Sequence, residues 1–317
     1  MNYFIDFVIS FVVVTILTPL LMKLSHKIGF TDKPTKRKKH KKITPLSGGL
    51  GMFIGFFTVL YIRNGKFDDE MMWIFIGAIL IVCIGLVDDY YKSVGKEFPI
   101  LPRLIIQILA AVIVFKAGVA FNGFTNPFTG VYVELNEFLK FVLSVTWIFG
   151  VTTVINWSDG MDGLAGSISL VSSGTFFIAA IILGQQYSAT TSIILAGAIG
   201  GFLVFNKYPA KVFMGDSGAN FLGFILSIIA LDGAFKQATV LSLMLPILAL
   251  AVPIFDNLFV IFKRFNEGKP VYQADRSQMH FRLEEKGLTK PQIVHLIVGI
   301  SIICSFLSIV LLFYNHP

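Results

Sequence analysis

The chain has 317 residues, of which 55% are hydrophobic and only 14% are charged, and its mean hydropathy is +0.76. Soluble domains carry about 25% charged residues, so this composition excludes an ordinary soluble protein and indicates a membrane protein. The net charge of +7 would suggest nucleic acid binding in a soluble chain, but basic residues in a membrane protein act first as topology signals, so we expect no nucleic acid partner.

Apolar runs predict ten transmembrane helices in a single all-α domain that fills residues 1–317. Cys83 and Cys304 fall in the third and tenth runs, and two cysteines cannot form a disulfide framework or a four-cysteine zinc site. Pro246 and Pro253 predict a kink in the ninth helix, because proline removes backbone hydrogen bonds. The runs lie at 3–24, 47–62, 71–87, 101–118, 138–155, 164–183, 189–205, 218–235, 238–262 and 292–314.

The distribution of basic residues predicts the orientation of these helices. Ten crossings put the loops that begin near residues 25, 88, 156, 206 and 263 on one side of the membrane. That side carries 21 of the 26 Lys and Arg residues, so the positive-inside rule places it in the cytoplasm and both termini outside. The run from Lys33 to Lys42 holds seven of them and is typical of a loop at an anionic lipid surface; recruitment of an anionic lipid substrate is the alternative.

Carboxylates gather on this predicted cytoplasmic side, although spanning helices usually avoid ionisable residues. We therefore interpret them as candidates for a functional site. They are Asp88, Asp89, Asp159, Asp162, Asp216, Asp256 and Asp275.

The first carboxylate cluster lies at the end of the third apolar run. If the helix continues, Asp88, Lys92 and Lys96 recur at intervals of four residues and form one stripe. The lysines could then hold a phosphate while Asp88 and Asp89 take a metal or a proton. The alternative is a solvated helix end with ordinary ion pairs.

The second cluster, Asn156-Trp-Ser-Asp159-Gly-Met-Asp162-Gly, directly follows the fifth run. One turn would bring Asp159 and Asp162 to the same side, and the glycines allow a ligand to approach the backbone closely. The third acidic position and the distal Glu of a calcium-binding EF-hand loop are missing. A plain helix-capping turn is the alternative.

The third cluster runs from Asn206 through Phe213-Met-Gly-Asp216-Ser-Gly and precedes the eighth run. A carboxylate such as Asp216 suits Mg²⁺, which takes one or two carboxylates and completes its shell with water and phosphate oxygens. A phosphate-binding P-loop is excluded, because no Gly-Lys pair is followed by Ser or Thr. The alternative is that Asp216 is a helix N-cap.

The last loop contains Asp275-Arg276-Ser-Gln-Met-His280-Phe-Arg282. A lone histidine is more often a hydrogen-bonded surface residue than a catalytic one, and this interpretation of His280 stays open. The arginines around it suit a phosphate or diphosphate, which a guanidinium can bind in a bidentate manner.

Five segments together resemble the polyprenyl-phosphate N-acetylhexosamine-1-phosphate transferases of glycosyltransferase family 4, integral membrane enzymes of the bacterial cytoplasmic membrane that start cell-wall polymers. They lie in order along the chain, on one predicted membrane face. The segments are Thr44-Pro-Leu-Ser-Gly-Gly49, Asp88-Asp89, Asn156-x-x-Asp159-Gly-x-Asp162-Gly, Phe213-Met-Gly-Asp216-Ser-Gly218 and Asp275 to Leu283.

The resemblance implies ten helices with extracytoplasmic termini and an active site on the cytoplasmic face. It implies transfer of N-acetylhexosamine-1-phosphate from a UDP-sugar to polyprenyl phosphate, with release of UMP. The implied cofactor is Mg²⁺, with Mn²⁺ as an alternative, and a homodimer is left open. A phosphate monoester has a second pKa of about 6, so the lipid phosphate is mostly dianionic at neutral pH and can attack directly.

The resemblance also implies roles for individual residues. Asp216 and Asp89 would hold or support the metal, Asp88 would orient the attacking phosphate or act as a dispensable base, and His280 would match one member of the family's histidine cluster. Substrate would be bound by Lys92, Lys96, Asn156, Asp159, Asp162, Asn206, Phe213, Arg276 and Arg282.

The sequence departs from the family pattern at the histidine cluster, where Gln278, Met279 and Phe281 surround the single His280. The branch that transfers GlcNAc-1-phosphate for teichoic acid or surface polysaccharide fits better than the phospho-N-acetylmuramoyl-pentapeptide transferases, which remain the runner-up. A transporter is the competing class, but carriers keep ionisable groups near mid-membrane, and only Lys116 and Asp256 approach that depth. A non-catalytic scaffold is the third hypothesis.

Overall fold

The computed structural model describes residues 2–33, 43–126, 129–233, 240–270 and 275–315, and over these ranges the chain is a bundle of helices with two short hairpins. The helices are α1 (Tyr3–Ile28), α2 (Gly48–Asn64), α3 (Asp69–Ser93), α4 (Ile100–Lys116), α5 (Glu137–Trp157), α6 (Leu164–Ile182), α7 (Gln186–Asn206), α8 (Gly215–Asp232), α9 (Val240–Ala249), α10 (Ala251–Asn266), α11 (Met279–Glu285) and α12 (Lys290–Asn315). The antiparallel hairpins pair β1 (Thr31–Asp32) with β2 (Thr44–Pro45), and β3 (Gly123–Thr125) with β4 (Tyr132–Glu134).

Six of these helices, α1, α3, α5, α6, α7 and α12, are long and apolar enough to cross a membrane. The predicted class, a mostly helical polytopic membrane protein, is therefore confirmed. The count of ten crossings and the extracytoplasmic termini stay predictions. Most of the basic run, residues 34–42, lies outside the described residues.

The ninth apolar run forms two helices, where the sequence predicted one kinked helix. Pro253 lacks the N–H that would otherwise reach the carbonyl of Ala249, and the hydroxyl of Ser172 donates to that carbonyl instead at 2.7 Å. The chain therefore breaks at Leu250, between α9 and α10. The short helix α11 is a further element that the hydropathy pattern did not predict.

Helix α8 lies at the centre of the bundle, and all of its residues except Asp216 are buried. It packs against α2, α3 and α5. Two glycines allow the closest approaches, because a Cβ at Gly85 would collide with the backbone of Ser217 and a Cβ at Gly49 with that of Gly218. These contacts bring the end of α3 and the beginnings of α2 and α8 together at one end of the bundle.

Candidate active site

The carboxylate of Asp89, at the end of α3, binds the beginning of α8. It accepts hydrogen bonds from the backbone N–H groups of Asp216 at 2.7 Å and Ser217 at 3.1 Å, and from the Ser217 hydroxyl at 2.8 Å. Gly215 has a φ of +70°, and a Cβ at this position would collide with the Asp89 carboxylate. Asp89 therefore caps α8 from another helix, and the alternative of Asp216 as the N-cap is wrong, because Met214 holds that position.

Two cations bridge the carboxylates of Asp88 and Asp216. Lys92 Nζ lies 2.7 Å from Asp216 Oδ2 and 3.4 Å from Asp88 Oδ2. Arg103 Nη1, from the first turn of α4, lies 2.9 Å from Asp88 Oδ2 and 3.4 Å from Asp216 Oδ2. Burial acts to raise the pKa of Asp216, but the nearby positive charges of Lys92 and Arg103 act against it, and this pKa lies well below its usual range.

Asp159 brings a further carboxylate to the site from the loop between α5 and α6. Its burial, together with the negative charges of Asp216 and Asp89, raises its pKa to about 8. The site thus holds four carboxyl groups, those of Asp88, Asp89, Asp159 and Asp216, against the two cations Lys92 and Arg103. Hard oxygen donors in a locally anionic cavity fit Mg²⁺.

Two of the predicted binding residues, Asn206 and Asp162, join neighbouring loops. Asn206 accepts a hydrogen bond from the N–H of Gly163 at 3.0 Å and donates to the carbonyl of Val212 at 2.8 Å. Asp162 accepts from the N–H of Ala210 at 3.0 Å. The Asn156 amide nitrogen is buried without a hydrogen-bond partner. The loops after α5 and α7 are therefore fastened to each other beside Asp159.

The segment 275–285 forms another wall of the site. Arg276 pairs with Glu284 at 2.6 Å and lies over the ring of Phe281. His280 is 2% exposed, and its burial lowers its pKa to about 4, with Arg276 acting in the same direction. Its imidazole packs so closely against Gly160 that a Cβ at this glycine would collide with Nε2.

These elements enclose an open cavity of about 470 Å³. The predicted site residues in its lining are Asp89, Lys92, Asp159, Asp162, Asn206, Phe213, Asp216 and Arg276. Those outside the lining are Asp88, Lys96, Asn156, His280 and Arg282. The predicted stripe is wrong for Lys96, because α3 ends at Ser93 and Gly95 turns the chain away with a φ of +75°. The functional roles predicted for these residues stay predictions.

Sequence reasoning missed four charged residues at the site. Arg103 bridges the carboxylates, and Asp32, Glu284 and Lys290 line the cavity. A basic residue in the first turn of an apolar helix was the available signal for Arg103, but it was counted only as a topology signal. Lys290, the first residue of the apolar helix α12, gave the same signal and was likewise counted only as a topology signal, whereas Asp32 and Glu284 lie outside the apolar runs.

The fold and the site define the class of the protein. A profile of the glycosyl transferase family 4 matches residues 71–234, which include most of α3, all of α8 and the carboxylates Asp88, Asp89, Asp159, Asp162 and Asp216. The chain belongs to this family of membrane transferases.

Similar proteins cover nearly the whole chain. A probable undecaprenyl-phosphate N-acetylglucosaminyl 1-phosphate transferase of Bacillus subtilis is 36% identical over 97% of this chain and 84% of its own length. A decaprenyl-phosphate N-acetylglucosaminephosphotransferase of Mycobacterium leprae is 28% identical over 88% and 76%. A phospho-N-acetylmuramoyl-pentapeptide-transferase of Listeria monocytogenes is 29% identical over 97% and 96%.

Proposed function

We propose that this protein transfers N-acetylglucosamine-1-phosphate from UDP-N-acetylglucosamine to a polyprenyl phosphate, releasing UMP. The proposal rests mainly on a cluster of charged side chains that contact one another beside one cavity. The cluster consists of Asp88, Asp89, Asp216, Lys92 and Arg103. The family and the name of the 36% identical relative support the choice of sugar and of lipid.

The charged side chains suit phosphoryl transfer, in which positioning and charge neutralisation do most of the catalysis. Lys92 lines the cavity and offers its ammonium to a phosphate oxygen, while Arg103 holds the carboxylates of Asp88 and Asp216 in a fixed arrangement. Phe213, also in the lining, offers a ring on which a base can stack. Asp88 lies outside the lining, which suits an orienting role better than an obligatory proton transfer.

The donor set of the cavity fits Mg²⁺. Asp216 and Asp159 are its candidate ligands, and Asp89 supports Asp216 through the backbone N–H. Over the described ranges, His, Cys, Asp and Glu side chains form no group of three that could hold a metal ion. Phosphate and water oxygens would therefore complete the shell, as they usually do for this ion. When bound, Mg²⁺ would neutralise charge on the transferring phosphoryl group.

We further propose that the cavity opens to the cytoplasm and that the product starts a cell-wall polymer such as teichoic acid or surface polysaccharide. Support for the orientation comes from the excess of Lys and Arg on the loops at the cavity's end of the bundle. This orientation suits the proposed donor, because a soluble nucleotide sugar would reach the cavity from the cytoplasm.

A reconstituted donor competition tests the proposal. The purified chain, given polyprenyl phosphate and Mg²⁺, should release UMP from UDP-N-acetylglucosamine faster than from UDP-N-acetylgalactosamine or UDP-N-acetylmuramoyl-pentapeptide. Asp216→Asn should lose this activity. Preference for the pentapeptide donor would assign the runner-up reaction instead. Flux of substrate into sealed vesicles without UMP release would indicate a transporter.

A further inference from the structure

Two ion pairs fasten the segment 275–285 to α10. In the first pair, Nη2 of Arg282 lies 2.8 Å from Oδ1 of Asp256. The same carboxylate accepts the N–H of Met279 at 2.9 and 2.8 Å, and so satisfies a free donor at the beginning of α11. The guanidinium of Arg282 also lies 4.1 Å from the ring centroid of Phe259, another residue of α10.

The second ion pair joins Arg264 to Asp275. Arg264 is 2% exposed and binds the carboxylate with two atoms, Nε at 3.2 Å and Nη2 at 2.8 Å. Asp275 also accepts from the N–H and the hydroxyl of Ser277, at 3.0 and 2.9 Å. These bonds hold the pKa of Asp275 well below its usual range, with the Arg264 hydrogen bond as the main cause. Arg264 is further held by the ring of Trp157 at 5.1 Å.

These two ion pairs anchor a segment whose neighbouring residues reach the cavity. Arg276, Gln278 and Phe281 line it, whereas Asp256 and Arg264 do not. A helix of seven residues such as α11 is too short to be stable alone, so its position depends on tertiary contacts. The two anchors on α10 supply such contacts on either side of the lining residues.

Helix α10 is itself tied to α5, the helix that leads into the loop with Asp159. The amide nitrogen of Asn257 donates to the carbonyl of Val154 in α5 at 3.2 Å. Helix α5 ends at Trp157, directly before the loop that carries Asp159, and Trp157 is also the ring against which Arg264 lies. The segment 275–285 and the loop that carries Asp159 are therefore held by two helices, α10 and α5, that contact each other.

We propose that Asp256 and Arg264 are positioning residues, which hold Arg276, Gln278 and Phe281 at the cavity wall where the nucleotide-sugar donor binds. Neither residue contacts the substrate. The inference rests on the proposed function, since it takes UDP-N-acetylglucosamine as the donor.

Steady-state kinetics of Asp256→Asn and Arg264→Gln test the proposal. Asp256→Asn keeps an oxygen for the N–H of Met279 but loses the charge that holds Arg282. Each variant should raise the donor KM about tenfold or more, because the segment that carries Arg276, Gln278 and Phe281 loses one of its two ion pairs with α10 and these residues are no longer held in place. The KM for polyprenyl phosphate and the unfolding temperature should change much less. The matched control is Asp6→Asn, which breaks the Asp6–Arg63 pair of 3.1 Å at the other end of the bundle and should leave both KM values unchanged.

A double-mutant cycle separates positioning from direct binding. If Arg282 acts only through Asp256, then Asp256→Asn combined with Arg282→Gln should raise the donor KM no further than either single change. Additive effects, or an unchanged donor KM in both Asp256→Asn and Arg264→Gln, would overturn the proposal. A variant whose unfolding temperature falls without a change in KM would equally assign a purely structural role. Arg264→Lys, which keeps the charge but loses the bidentate contact, should give an intermediate KM.

A distance measurement makes the test independent of turnover. Spin labels at Glu97→Cys and Lys286→Cys, both exposed, would lie in different loops at this end of the bundle, with Cys83 and Cys304 replaced by alanine. Their distance distribution should broaden in Asp256→Asn and Arg264→Gln but not in Asp6→Asn, and an unchanged distribution would contradict the proposal. If the unaltered chain fails to turn over UDP-N-acetylglucosamine while the distributions broaden, the proposed donor is wrong and the positioning roles stand.

Discussion

The carboxylate of Asp89 and the backbone of Asp216, 127 positions apart in the chain, are joined by a hydrogen bond of 2.7 Å. This bond lets a residue of α3 set the position of the first turn of α8, and with it the direction in which the Asp216 side chain points. Since Asp89 also accepts two donors from Ser217, its oxygens are largely committed to the protein. The two adjacent aspartates of α3 therefore do different work: Asp89 positions α8, and Asp88 contacts the cations.

This division predicts different consequences for two amide substitutions. Asp89→Asn replaces one of the accepting oxygens with a donor, so it should lower the free energy of unfolding by about 2 kcal/mol and reduce turnover. Asp216→Asn leaves those hydrogen bonds intact, so the protein should stay folded. Because it removes the carboxylate of a candidate Mg²⁺ ligand, it should abolish turnover. Thermal unfolding and UMP release measured on both variants check this. Equal stability of Asp89→Asn and the unaltered chain would contradict the capping role.

The sequence predicted the helices and the main clusters because both leave local signals. Apolar runs reveal helices, and a carboxylate next to such a run is conspicuous. The sequence thus identified three separate candidate residues, Asp88, Asp89 and Asp216. The pairing of Asp89 with the α8 backbone has no local signal in the sequence, because it depends on close helix packing at Gly85.

Other features escaped prediction for physical reasons that are equally specific. The break at Leu250 depends on Ser172 satisfying a carbonyl from another helix, so the prolines alone indicated only a kink. The stripe through Lys96 failed because Gly95 ends the regular spacing that the prediction assumed. Arg282 suggested a phosphate ligand by its type, yet its guanidinium binds Asp256, and only tertiary structure reveals such a partner.

Arg103 should be nearly as important for activity as the carboxylates it bridges. In Arg103→Gln, Asp88 and Asp216 lose one of the two cations between them, so their mutual repulsion grows and their arrangement loosens. Loss of one partner from a hydrogen-bonded charge pair costs about 2–5 kcal/mol, which corresponds to at least a roughly thirtyfold fall in kcat/KM. Arg103→Lys keeps the charge and should recover part of the activity. Full activity of Arg103→Gln would rule out the bridging role.

Asp159 should release a proton when Mg²⁺ binds. Its pKa of about 8 means that it is mostly protonated at pH 7, and a cation nearby lowers that pKa. Metal binding should therefore weaken as the pH falls below 8, since the proton and the metal then compete. Calorimetric titration with Mg²⁺ in buffers of different ionisation enthalpy measures the proton count. Asp159→Asn should release fewer protons, and an equal release from both proteins would contradict the assignment.

His280 should stay neutral at physiological pH, so it should not act as a proton donor. Because its pKa falls from 6.5 to about 4 on folding, the unfolded chain binds the proton more readily between these values. The neutral His280 therefore leaves the free energy of unfolding at its full value above pH 6.5. As the pH falls below 6.5, the free energy of unfolding drops, by up to about 3 kcal/mol near pH 4. His280→Gln should show a smaller fall in unfolding temperature between pH 6.5 and 4.5. Its pH–rate profile between pH 6 and 8 should keep the shape of the unaltered enzyme's profile.

Gly160→Ala should disturb the site through the same histidine. The added methyl group would collide with His280 Nε2, so the loop that carries Asp159 and the segment that carries His280 must move apart. We expect a loss of activity of about tenfold or more, because small displacements of positioning groups reduce turnover strongly. Gly174→Ala in α6 is the matched control, since a Cβ there meets no atom within 4 Å, and it should keep full activity. A double variant that also carries His280→Ala, which makes room for the methyl group, should be more active than Gly160→Ala if the collision is the cause. Activity no higher than that of the single variant would assign the defect to the loop itself.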